Sequence, residues 1–242
     1  SFVYDIADLY KVEVRELGEQ LGIPRDLVWR HPFPGPGLGV RLLCSKGAED
    51  RAGFAEMGAP VARIAAEYGV SASLLPIRSV GVKADLRSYE HPVLLHGDAP
   101  WDRLLEAAGQ IFKQVPGINR CVWNLGPTLP ALARPVAATV TADRLDLLRE
   151  ADALVMDGLR RHGIYDRIWQ CPTVLVPLHF DGRGSEFVIV RPIHSERAMT
   201  ATPAALPPAL LDELRRDILA LPKVSGLAID VTTKPPGTIE WE

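Results

Sequence analysis

His31-Pro32-Phe33-Pro34-Gly35-Pro36-Gly37-Leu38-Gly39-Val40-Arg41 is the stretch around which the chain is organised. Pro32, Pro34 and Pro36 are interleaved with Gly35 and Gly37. Proline fixes φ and offers no N–H to a ladder, whereas glycine opens the left-handed half of backbone space. The stretch predicts a stiff, irregular loop, with the N–H groups of Gly35 and Gly37 free to face a ligand. It feeds into Leu38 to Cys44, whose alternation predicts a strand. Exposed donors ahead of a strand suit phosphate or a nucleotide. On composition alone, a rigid linker between domains is the simpler reading.

Before the loop, Asp5 to Leu21 is amphipathic, with Ile6, Leu9, Val14, Leu17 and Leu21 at helical spacing and Gly22 and Pro24 as a stop. Beyond it, Ser45 to Ala59 reads as a polar insertion, and Pro60 as the first turn of a helix striped by Val61, Ile64 and Tyr68. Leu74 to Val82, broken by Pro76, and Tyr89 to Leu95 form a hairpin around Lys83-Ala84-Asp85. A helix over Asp102 to Val115 and a strand over Arg120 to Leu125 follow.

The pattern then starts again. Val136 to Val140 reads as a strand, Thr141 caps a long helix ended by Gly163, and Val174 to Phe180 with Phe187 to Ile193 makes a second hairpin. Leu206 to Leu221 is a helix and Leu227 to Val231 a strand. The text repeats too: Leu75-Pro76-Ile77 answers Val176-Pro177-Leu178, and Pro116 to Val122 answers Pro222 to Ala228. The expected fold is therefore α+β: two tandem two-layer units, each strand-helix-hairpin-helix-strand, after a short helical segment.

The 242 residues carry a net charge of −3, from 27 basic and 30 acidic side chains, so there is no global field to attract nucleic acid or a membrane surface. No apolar run reaches a membrane span. Three scattered cysteines, Cys44, Cys121 and Cys171, argue for reduced thiols and a cytoplasmic setting rather than a disulfide framework. The histidines show no metal-ligand spacing. The chain opens with Ser1 in a helical pattern and reads as a piece of a longer polypeptide.

Unaided, the residues offer scattered candidates. Asp85 sits at a hairpin turn beside Arg87, where aspartate is common for conformational reasons alone. Gln170 precedes a strand, and its neighbour Cys171 reads as a small buried apolar group. The tail Lys234-Pro235-Pro236-Gly237-Thr238-Ile239-Glu240-Trp241-Glu242 combines a cation, a stiffened turn, a hydroxyl, a carboxylate and an aromatic anchor. The Gly182 and Gly184 turn is no dinucleotide fingerprint, because no helix follows it.

His31 to Leu38 resembles the loop joining the ATP-pyrophosphatase domain of GMP synthetases to their C-terminal dimerisation domain, and Lys234 to Glu242 resembles the end of those enzymes. Tyr10 to Arg15 with Leu21 to Pro24, Val80 to Asp85, Asn119 to Pro127 and Leu178 to Asp181 extend the resemblance over nearly the whole chain. The doubled unit resembles the long, eukaryotic-like form. The resemblance implies three parts: 1–37, the end of the pyrophosphatase domain and the linker; 38–132, a first C-terminal unit; and 133–242, a second unit with the substrate-binding tail. It implies that XMP is held by Pro34, Gly35, Pro36 and Gly37 through backbone groups, by Asp85, by Gln170 at the purine, by Lys234 at the phosphate, and by Thr238 and Glu240. Ala84 stands where the family's hairpin has glycine, which is expected to bend the tip.

ATP and Mg²⁺ would be bound mainly by a pyrophosphatase domain whose Ser-Gly-Gly-x-Asp-Ser loop this sequence lacks. No glutaminase Cys–His–Glu set is present either, so no catalytic residue and no metal ligand is assigned here. The implied partners are XMP, the pyrophosphatase and glutaminase domains and, as one arrangement, a second copy in a homodimer. No nucleic acid or membrane is expected. The alternative is a non-catalytic nucleotide-binding or assembly module; single-stranded RNA binding is disfavoured by the near-neutral charge.

Overall fold

A computed structural model describes residues 6, 8–83, 86–126, 133–180, 184–195 and 198–242. The chain divides into two compact units, Ser1–Phe33 and Pro34–Glu242.

In the first unit, α1 (Lys11–Gln20) is followed by α2 (Arg25–Val28). The helix starts later than the apolar pattern suggests. Tyr10 is its N-cap residue, and its N–H donates to the Glu13 carboxylate at 2.6 Å. Gly22, at φ 81°, turns the chain out. Leu21, Ile23 and Leu27 remain exposed.

In the second unit, the strand expected over Leu38 to Cys44 is absent. Gly37–Arg41 winds instead as a 3₁₀ turn. The Gly37 N–H donates to the Pro34 carbonyl at 2.9 Å, so it is not free for a ligand. The turn lets Leu38 and Leu42 both face the helix-side core, which an extended strand interrupted by Gly39 does not require. Pro60 does not open its helix either. α3 runs Phe54–Glu67, beginning after Gly53 at φ 76°, and Pro60 lies within it.

The sheet gathers β2 (Ser71–Leu74), β4 (Leu86–His96), β5 (Ile118–Asn124), β8 (Thr173–Val176), β10 (Glu186–Val190) and β13 (Val224–Asp230). Their order is β2-β4-β5-β13-β10-β8, and β3 (Ser79–Lys83) pairs with the other half of β4. Pro76 divides the run expected as one strand into β2 and β3. β4 and β5 are parallel, as are β10 and β13; the two triplets meet where β5 and β13 pair antiparallel, Ile229 opposite Trp123. The outcome is one continuous mixed sheet. The strand expected over Val136 to Val140 shrinks to β7 (Ala137–Ala138), which pairs with β1 (Ser45–Lys46), just beyond the run expected as the first leading strand.

Period-two alternation sorts the two faces. Val93, Leu95, Cys121, Val188, Val190, Leu227 and Ile229 face four helices: α3, α4 (Trp101–Gln114), α5 (Ala142–Arg161) and α6 (Pro208–Leu219). Thr141 caps α5 by accepting from the Arg144 N–H. Leu94, Val122, Phe187, Ile189 and Ala228 face the other way, into a core closed by Trp241. The last residues of the chain therefore cover the face the helices leave bare.

Candidate functional site

After β13 the tail runs beside β3 and hydrogen-bonds to it. The Val82 N–H donates to the Pro236 carbonyl at 2.8 Å, the Val80 N–H to the Trp241 carbonyl at 3.1 Å, and Gly81 bridges Gly237. This approach needs a glycine. A Cβ on Gly81 would stand 2.7 Å from the Pro236 oxygen and 2.8 Å from Cβ of Asn119. Lys234 exchanges both backbone hydrogen bonds with Ala201, and its amine donates to the Ala198 carbonyl at 2.6 Å.

Asp230, at the end of β13, is the buried hub that anchors the tail. Nη1 of Arg120 lies 3.1 Å from its Oδ2, and Nη1 of Arg191 lies 2.9 Å from its Oδ1. Trp241 Nε1 donates to Oδ2 at 3.0 Å, and the Arg120 guanidinium stacks 4.7 Å from the indole centroid. Asp230, Arg120, Arg191 and Trp241 are all 0% exposed. Burial pulls the Arg120 pKa down to about 9 against the upward pull of Asp230, so the guanidinium is charged at neutral pH. Its Nη2 then binds the tail itself, donating to Thr238 Oγ1 at 2.8 Å and to the carbonyls of Val80 and Glu240. Nε of Arg191 donates to the Ile239 carbonyl at 3.1 Å.

Glu240 turns its side chain toward the loop. Arg41 donates Nε to Oε2 at 3.1 Å and Nη2 to Oε1 at 3.2 Å, and Gln170 donates Nε2 to Oε1 at 3.0 Å. Asp152 on α5 stands 3.8 Å from Nη1 of Arg41.

The structure thus gathers Gln170, Thr238 and Glu240, with Lys234 at the start of the same tail segment. The loop reaches them through Arg41, the last residue of its 3₁₀ turn; Pro34 and Gly37 are half-buried, and Gly35 and Pro36 are exposed. Thr238 Oγ1 is already engaged by Arg120 and by backbone carbonyls. Asp85 and Ala84 lie outside the described residues; the hairpin arms pair up to Lys83 and Leu86. Cys171 is buried, and burial pushes its thiol well up.

The reading by sequence missed Arg41, Arg120, Arg191 and Asp230. A signal was present: Arg120, Arg191 and Asp230 are charges in or directly after apolar strand runs, where an unpaired charge would be prohibitive. Among the described residues, no group of three or more His, Cys, Asp or Glu could hold a metal ion, and no helix is long and apolar enough to cross a membrane. A groove of about 940 Å³ floored by Trp101 and Trp123 opens at the helix face of the sheet and contains none of the sequence candidates.

In this α+β fold a buried double-arginine hub holds the tail beside a glutamine–glutamate–arginine cluster. Residues 157–241 match the family described as GMP synthase C terminal domain. A probable glutamine-hydrolysing GMP synthase of Leptospira interrogans is 38% identical over 98% of this chain. One of Caenorhabditis elegans is 29% identical over 99%, and the GMP synthase of Thermobifida fusca is 29% identical over 100%. The chain spans 39%, 42% and 30% of these relatives, less than half of each.

Proposed function

We propose that this chain is the XMP-holding portion of a glutamine-hydrolysing GMP synthase. In the whole reaction, ATP adenylates the C2 oxygen of XMP, and ammonia released from glutamine then displaces AMP to give GMP. The observation that carries the reading is the Arg41–Glu240–Gln170 cluster, which joins the turn after the proline loop, the segment leading into β8 and the tail. Gln170 meets the purine, Lys234 the phosphate as a point charge, and Asp85, Thr238, Glu240 and the Pro34–Gly37 backbone complete the pocket. This portion supplies orientation, holding C2 toward a nucleotide bound by another domain; such positioning is worth several kcal/mol at best, roughly 7–11 in the limit. ATP and Mg²⁺ belong to that other domain. The described residues offer no ligand cluster that fits the metal, and no step here is routed through it.

We also propose that the 38–132 and 133–242 units descend from a duplication and together take the place of two subunits of a shorter form. The matching strand orders, β2-β4-β5 and β8-β10-β13, meeting antiparallel at the centre, support this. The setting is cytoplasmic and the partners are the pyrophosphatase and glutaminase domains. Calorimetric titration of the protein with XMP, beside GMP and AMP, is the test. Saturable one-site binding of XMP is expected; heat of dilution alone for all three overturns the reading.

A further inference from the structure

We propose that Asp152 is a positioning residue for this site: it steadies the Arg41 guanidinium, which in turn aims the Glu240 carboxylate. The inference rests on the site reading above and extends it from the tail to α5. Arginine is a planar fork whose N–H groups leave it in fixed directions. Nε and Nη2 of Arg41 share one edge, and Glu240 takes that edge at 3.1 and 3.2 Å. Nη1 points elsewhere, to α5, where Oδ1 of Asp152 stands 3.8 Å away. That spacing is an ion pair and not a hydrogen bond. The Arg41 side chain is 5% exposed, so little water screens the attraction. One buried cation thus spans two carboxylates from distant parts of the chain. Turning it toward either loosens its grip on the other.

The two carboxylates are mounted differently. Asp152 stands on the 20-residue helix α5, and Leu148, Ala151 and Val155 around it are 0% exposed, packed into the core. Glu240 lies in the irregular tail. The helix therefore supplies the fixed point, and Arg41 passes it on to the tail. A second observation puts Asp152 at the cluster. Burial first, and then the Asp152 carboxylate, push the Cys171 thiol up, while Arg41 pulls it down. Both charges thus lie against the segment that brings the Gln170 amide to Glu240 at 3.0 Å. In this scheme Asp152 acts through Arg41 and is assigned no contact with the ligand.

The test is a double-mutant cycle in the full-length protein: wild type, Asp152→Asn, Glu240→Ala and the two combined, with the XMP requirement read by steady-state kinetics. Asp152→Asn keeps the volume and removes the charge. It is expected to raise the XMP requirement about tenfold when Glu240 is present, and less than about twofold when Glu240 is already alanine. Asp152→Glu, which restores the charge, should recover most of the loss. A role confined to holding α5 in place would give the same factor in both backgrounds, and that result overturns the inference while the site reading stands. An XMP requirement unmoved by Glu240→Ala overturns the site reading itself. Should circular dichroism show Asp152→Asn unfolded, Asp152→Ser goes through the same cycle, and equal factors again overturn the inference.

Discussion

Glu240 presents both carboxylate oxygens to Arg41, at 3.1 and 3.2 Å, across 199 positions of sequence. The pair ties the chain end to the turn that leaves the proline loop. Glu240→Ala takes both of these hydrogen bonds from the buried Arg41 guanidinium, whose Nη1 still stands 3.8 Å from Asp152. The expected loss is about 1–3 kcal/mol, read as a lower urea midpoint at constant slope.

Lys234→Ala is expected to separate binding from folding. Its amine meets the Ala198 carbonyl and, among the described residues, no carboxylate, so stability should change by less than about 1 kcal/mol. In the full-length protein, losing a charge-assisted contact to phosphate should raise the XMP requirement about 10- to 100-fold. Glutamine hydrolysis should persist. Steady-state kinetics with XMP varied checks this; an unchanged XMP requirement removes Lys234 from the site.

Gly81→Ala attacks the tail from the other side. The added methyl meets the Pro236 oxygen and Asn119, both closer than a Cβ tolerates. The tail should lift off β3 while the sheet beneath persists. Faster deuterium exchange at Val80 and Val82, whose N–H groups bond the tail, is the expected readout.

Asp230→Asn removes the carboxylate that two fully buried arginines share. Breaking a buried ion cluster by removing one partner costs about 3–5 kcal/mol. Chemical denaturation should show this loss, and the tail contacts of Arg120 and Arg191 should be lost with it.

Acid should destabilise the fold through His96. Burial lowers its pKa from 6.5 to about 4. Its Nδ1 lies 3.2 Å from the Asn124 amide nitrogen, and that amide is held by Gly126 on both sides. The folded state therefore binds this proton more weakly than the unfolded chain. The stability present above pH 6.5 is lost progressively as pH falls from about 6.5 to about 4. In His96→Asn the melting temperature should fall less steeply across that window; an identical slope would remove His96 as the cause.

The helices α4, α5 and α6 were legible to within about two residues, whereas the starts of α1 and α3 were not. Leu104, Ala108 and Ile111 mark α4, and Leu148, Ala151 and Val155 mark α5 behind its Thr141 cap. The hairpin of β8 and β10 was legible for the same reason. Leu38 to Cys44 was not, because a short apolar run suits a 3₁₀ turn as well as a strand and only the core behind it chooses. Of the site, Gln170, Lys234, Thr238 and Glu240 were named through a resemblance. The arginines that organise them were not, since a charge inside a strand pattern carries no sign of where its partner lies.

By itself the sequence determined α4, α5 and α6, the inner strands and the unusual tail, because propensity, periodicity and capping act over a few neighbouring residues. The tertiary structure alone decided that two triplets of strands merge at β5 and β13 and that the tail lies along β3. It also decided that Arg41, Gln170 and Glu240 share one cluster. Those outcomes depend on which distant surfaces bury each other and on pairing every buried charge, and neither condition can be met until the whole chain has folded.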